Sequence, residues 1–179
     1  MRSPERRHLR IRRVRPVLRA PLYRRWSVRA QLGAAAGSGA GAQFIEPHGI
    51  SVNLRGEEPE LYVADRRNHR IQVFTLEGEH KRFVEHNLDL PCSFYFFGDE
   101  VYIPDLNSRV TILDGRDRLI THLGEDQQAY KQQGWPNLPK SYFRPDKFSS
   151  PHGVCVDSQG NVYVAEWISD GRITKLVRQ

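Results

Sequence analysis

Cysteine is scarce in this 179-residue chain: Cys92 and Cys155 are the only two. Two thiols do not make a disulfide framework, so no redox compartment follows from them. Long apolar runs are missing as well. The longest uncharged stretch near the start, Ala30 to Ile45, is mostly Ala, Gly and Ser, too short and too weakly apolar to span a bilayer. No window of eleven residues carries a helical period, which excludes a helical bundle. Lysine is absent from residues 1–43, which hold eleven Arg and one acid, Glu5, for a charge of +10. Residues 44–179 hold 16 basic and 20 acidic residues, for a charge of −4. The overall +6 is therefore an acidic body behind a basic leader. Phosphate recognition needs clustered Lys and Arg, so the body is a poor fit for nucleic acid.

The leader, residues 1–32, has too few apolar side chains to offset its ordering entropy and reads as disordered. Three readings stay open for it. It is a tail or the product of a misassigned start codon, or an Arg-rich transit or nucleic-acid-contacting segment, or an export signal. The last rests on Tyr23-Arg24-Arg25-Trp26-Ser27-Val28, a weak twin-arginine pattern with Arg29 where the apolar segment should begin. Localisation is left between export and a soluble cytoplasmic protein.

What the chain does have is an internal repeat. Phe44-Ile45-Glu46-Pro47-His48-Gly49-Ile50-Ser51-Val52 returns as Phe148-Ser149-Ser150-Pro151-His152-Gly153-Val154-Cys155-Val156, with a weaker copy at Leu88-Asp89-Leu90-Pro91-Cys92-Ser93-Phe94. A second block follows each copy: Leu61-Tyr62-Val63-Ala64-Asp65, Val101-Tyr102-Ile103-Pro104-Asp105 and Val162-Tyr163-Val164-Ala165-Glu166. A third block opens on Arg70, Arg109 and Arg172. Each block has strand length and strand composition, with Gly, Asn and Asp turns between them. Residues 79–84 and 117–123 fit a fourth, outer strand. Tandem four-stranded meanders cover their apolar faces only by stacking on one another. The fold expected is all-β: about three four-stranded antiparallel blades of an open propeller over residues 33–179, divided near 44–87, 88–147 and 148–179. The acid and Arg of each unit (Asp65 with Arg70, Asp105 with Arg109, Glu166 with Arg172) read as structural clamps.

The segments Pro47-His48-Gly49-Ile50, Tyr62-Val63-Ala64-Asp65 and Asn68-His69-Arg70-Ile71-Gln72-Val73-Phe74, with the spacer Gly37-Ser38-Gly39-Ala40-Gly41-Ala42-Gln43-Phe44, resemble the NHL repeat family. Residues 151–164 resemble it again, while the second unit departs from it at Cys92. The resemblance implies a β-propeller, commonly of six blades, and a role as a binding module for a protein, a peptide or a small ligand at the central channel. Three units then read as a piece of a longer propeller or as a half that self-associates. Some propellers of this family also bind RNA, a reading that the acidic body opposes. The Pro-His motifs are similar to those of the peptidyl-α-hydroxyglycine α-amidating lyase propeller. That likeness implies zinc on His48 and His152 and cleavage of a carbinolamide to an amide and glyoxylate. No acid–base set can be assigned, and whether the chain is an enzyme is left open. Cys92 takes the matching position in the second unit, and His–Cys–His is a zinc-competent ligand set.

Four further expectations follow from position. Cys155, inside Val-Cys-Val, is a core residue. His69, His80, His86 and His122 lie in turns or outer strands and are solvated. Residues 124–147 form a long loop of the kind that carries function. Within and beside it, Trp135, Tyr142 and Trp167 are ligand-rim candidates, and Phe143 is a further aromatic of the same loop.

Overall fold

The computed structural model describes Leu32 and residues 43–179. The Arg-rich leader up to residue 31 and the Gly/Ala spacer lie outside the described residues, so the readings made on them do too.

The described residues fold into three antiparallel sheets and no α-helix. The first contains β1 (Pro47–Asn53), β2 (Glu60–Asp65), β3 (Arg70–Phe74) and β4 (His80–Val84) in sequential order. The second contains β5 (Tyr95–Phe97), β6 (Glu100–Asp105), β7 (Arg109–Leu113) and β8 (Leu119–Leu123) in the same order. The third contains β9 (Pro151–Val156), β10 (Val162–Glu166) and β11 (Arg172–Leu176). It has three strands among the described residues where four are expected. The registers correspond across the three. Tyr62 pairs with Ser51, Tyr102 with Tyr95 and Tyr163 with Cys155, so the three tyrosines share one address.

Alternation along each strand gives a sheet two faces, and stacking uses both. Tyr62, Ile71 and Val73 of the first sheet cluster with Val101, Ile103 and Leu113 of the second, and Phe94 and Phe96 pack on that cluster. Tyr102, Val110 and Ile112 on the other face of the second sheet cluster with Val156, Val162 and Val164 of the third. A polar bolt joins the outer ends of the first two sheets. Arg55, in the β1–β2 turn, donates to the carbonyls of Asp99 and Asp114 at 3.1 and 3.0 Å. The Tyr62 hydroxyl donates to Asp117 at 2.9 Å, and Arg82 bridges Glu60 to Asp117.

The clamps are present in all three sheets. Arg70 Nε donates to Asp65 at 2.8 Å, Arg109 Nε to Asp105 at 3.4 Å, and Arg172 pairs with Glu166. Each acid also accepts the backbone N–H of the residue two before the proline: Ile45, Asp89 and Ser149. Each Arg also donates to the carbonyl four before the proline: Gln43, Asn87 and Lys147. The pair thus straps the incoming chain to its own sheet, which fixes the corner where each first strand begins.

Two expectations on burial are corrected. Cys155 is exposed. Its alternation is that of a core strand, but it points to the face of the third sheet on which no described residue packs. His80 is not solvated but half-buried. Its ring lies between Phe74 and Phe83, at centroid distances of 5.4 and 4.4 Å, with Nε2 buried. His122 is likewise half-buried, with Nδ1 3.1 Å from Thr111 Oγ1. His69 and His86 are exposed.

Candidate metal centre at the first strands

The prolines set the address of the site. Pro47 pairs with Asp65, Pro91 with Asp105 and Pro151 with Glu166. The next residue is His48, Cys92 or His152, so three different side chains leave three sheets at one repeat position. The structure brings them together: their ligand atoms all lie within 4.8 Å of one another. The two imidazoles meet edge to face, with centroids 4.8 Å apart.

The close approach depends on Gly49. A Cβ there would lie 2.7 Å from Ser93 Cα and clash with the Cys92 carbonyl oxygen. Only glycine lets the second sheet's entry reach β1. The approach also lets His48 Nδ1 sit 2.7 Å from the Cys92 carbonyl. A carbonyl only accepts, so Nδ1 carries the hydrogen, and in the neutral imidazole this tautomer leaves the lone pair on Nε2. On the far side, Ser93 Oγ donates to the His152 carbonyl at 3.2 Å.

The electrostatics follow from burial. Burial pushes the Cys92 thiol up to about 11, against the opposing pull of the Arg66 guanidinium. Burial also lowers His152, and the neighbouring His48 and Arg66 lower it further. His152 is thus biased toward the neutral form, which has a lone pair to offer.

Arg66 was not singled out by motif. It is the residue directly after the clamp acid, in the turn between β2 and β3, and it pairs with Glu46. The same acid-plus-one position is Leu106 in the second sheet, buried, and Trp167 in the third. The signal for Arg66 was therefore its equivalence to Trp167. Trp167 is 56% exposed and lies beside His152, with centroids 6.3 Å apart. The other rim candidates are engaged elsewhere. Trp135 Nε1 donates to the Ser149 carbonyl at 2.9 Å, and the Tyr142 hydroxyl lies 3.4 Å from Asp126. Phe143 lies against the Arg172 guanidinium of the third clamp. The loop 124–147 folds down as a clasp at the second junction, with short 3-10 turns at Ala129–Lys131 and Lys140–Tyr142.

Residues 44–74 and 148–175 match the NHL repeat family, over the first and third sheets. The chain carries NHL repeats. The NHL module is 35% identical over 124 residues to the B-box type zinc finger protein ncl-1 of Caenorhabditis elegans, and 27% identical over 130 residues to the protein brain tumor of Drosophila melanogaster. Each alignment covers 69% of this chain, but only 13% and 11% of those two proteins. Among solved structures it is similar to virginiamycin B lyase from Staphylococcus aureus, at 16% identity and a TM-score of 0.41, over 74% of this chain and 41% of that one. It is also similar to a streptogramin B lyase, at 16% identity and a TM-score of 0.43, over 74% of this chain and 40% of that one. No helix among the described residues is long and apolar enough to cross a membrane.

Proposed function

We propose that this NHL module is a binding module whose ligand docks at a zinc ion held by His48, Cys92 and His152. The observation that carries the reading is the convergence of three zinc-competent ligand atoms within 4.8 Å. Ordinary zinc–nitrogen and zinc–sulfur lengths in a tetrahedron put ligand atoms roughly 3.3–3.6 Å apart, so the side chains need to close by about 1 Å. The His48 Nδ1–H bond to the Cys92 carbonyl supports the reading. Metal-ligating imidazoles commonly use their second nitrogen in this way. Three protein ligands leave one position open, which suits a carboxylate, imidazole or thiolate donor from a peptide or a small molecule. Arg66 and Trp167 flank that position and shape what enters.

Metal analysis of the full chain purified without chelator tests this. About one zinc per chain is expected for three protein ligands. His48→Ala combined with His152→Ala should abolish it. In the cobalt-loaded protein, Cys92→Ser should remove the thiolate-to-cobalt charge-transfer absorption. A chain that takes up neither zinc nor cobalt would reduce the cluster to packing. The lyase reading adds turnover at the same centre, so glyoxylate release from a peptidyl-α-hydroxyglycine by the zinc-loaded chain would favour it over binding alone.

A further inference from the structure

The cross-strand row that ends in the polar bolt of the first junction recurs at the second, with one side chain changed. In the first sheet Tyr62 pairs with Val73, and Val73 with Arg82. In the second sheet Tyr102 pairs with Ile112, and Ile112 with Thr121. Glu60 and Glu100 each stand two residues before the tyrosine. Glutamate and tyrosine are kept, and a threonine stands where the arginine was.

At the first junction Arg82 engages both of its partners. Its guanidinium donates to the two carboxylate oxygens of Glu60, at 2.7 and 2.9 Å, and to the Tyr62 hydroxyl at 2.8 Å. Its central carbon lies 5.7 Å from the Tyr62 ring centre. A planar fork meets a carboxylate and an aromatic ring in this way, and a plain ammonium does not.

At the second junction the corresponding space is a cavity of about 240 Å³. Ile112, Ile120, Leu123, Val162 and Leu176 give it apolar walls, and Glu100, Tyr102 and Thr121 add polar groups. Ile120 and Thr121 are exposed, so solvent reaches it. The Tyr102 hydroxyl donates to Glu100 Oε2 at 2.5 Å. Burial and that carboxylate push the phenol up to about 12, so it keeps its proton and its oxygen can still accept. Arg178, more than half exposed, reaches Glu100 Oε1 from the rim with one nitrogen at 3.4 Å. Its stem crosses Gly160, where a Cβ would lie 2.8 Å from Arg178 Cδ. This single long contact leaves the fork of Glu100 unmatched.

We propose that this cavity binds an alkylguanidinium, as a free small molecule or as the arginyl side chain of a peptide. The guanidinium takes the place beside Glu100 and Tyr102 that Arg82 takes beside Glu60 and Tyr62. Its aliphatic stem lies against the apolar walls, and Arg178 gives up Glu100 as the ligand enters. Gly160 follows the far end of β9 from His152, so the cavity is separate from the candidate metal centre.

Isothermal titration of the full chain with butylguanidinium tests this, and saturable one-to-one binding is expected. A parallel titration with the peptide acetyl-Gly-Arg-Gly-amide separates the two sources. Binding of the peptide as well assigns an arginyl side chain, and binding of butylguanidinium alone assigns a small molecule. Glu100→Gln should weaken binding roughly 10–100-fold, the loss expected for hydrogen bonds to a charged group. Thr121→Arg should abolish binding and raise Tm, because the chain's own guanidinium then fills the cavity as Arg82 fills the first junction. Thr121 is exposed, so this change leaves the core intact. Pentylamine, which lacks the fork, should bind more weakly. A wild-type chain that gives no saturable heat with butylguanidinium overturns the proposal. Unchanged binding by Thr121→Arg, or equal affinity for pentylamine, overturns it too.

Discussion

Replacing Gly49 with Ala is the sharpest probe of how the sheets meet. The added Cβ would sit 2.7 Å from Ser93 Cα and closer still to the Cys92 carbonyl. Both are backbone atoms, so no rotamer change relieves the clash. The entry to the second sheet has to retreat by roughly an ångström, and overpacking of this kind costs about 1–3 kcal/mol. The gain from replacing glycine in a strand offsets about 0.5–1 kcal/mol of that. The net is about 1–2 kcal/mol, or a fall in Tm of roughly 3–8 °C for a domain of this size. Gly153→Ala is the control, because its Cβ makes only an ordinary contact with Ala165. It should leave Tm unchanged or slightly raised. Thermal unfolding followed by circular dichroism reads both. Equal Tm values for Gly49→Ala and its parent would refute the reasoning, and so would an equal loss at Gly153. The same retreat carries Cys92 away from His48, so Gly49→Ala should also weaken cobalt uptake.

Two further predictions concern the scaffold. Arg55→Ala removes donors to the Asp99 and Asp114 carbonyls and to Asp117 across a sheet junction. It should cost about 1.5–3 kcal/mol in urea unfolding, the range for hydrogen bonds from a charged group. The clamp acids should answer pH in opposite directions. Burial pushes Asp65 up, but Asn68, Gln72, the Ile45 N–H and Arg70 together outweigh it and hold the carboxyl low. Its contribution is present at neutral pH and is lost as pH falls below the ordinary Asp range near 4. Burial dominates at Asp105, which has fewer donors and a longer 3.4 Å contact to Arg109, and pushes it up to about 6. The native state then keeps a proton that the unfolded chain releases, so stability falls as pH rises from about 4 to about 6. Asp105→Asn should flatten that slope in denaturation series, whereas Asp65→Asn should lower stability at pH 7 and lose its effect in acid.

Much of this architecture was legible because burial in stacked sheets leaves a period-two trace and a repeat triples it. The strand blocks, the three tyrosines and the three acid–Arg clamps could be placed from spacing alone. Cys155 could not, because alternation says that a strand has two apolar faces but not which face has a neighbour. His80 escaped for a similar reason: an outer strand reads as solvated until Phe74 and Phe83 are seen on either side of its ring. The site was half legible. The shared address of His48, Cys92 and His152 lies in the repeat, but their distances depend on how closely successive sheets approach, which Gly49 decides through space. Arg66 was hidden because its turn carries no motif, only a position.

Each clamp ties the strap to its own sheet, with no bond to the residue that occupies the corner. The corner is therefore a socket whose contents can be exchanged while the backbone around it stays put. Histidine and cysteine already sit in equivalent sockets here. The chemistry presented along this edge can thus be rewritten one unit at a time, and the scaffold underneath need not notice the change.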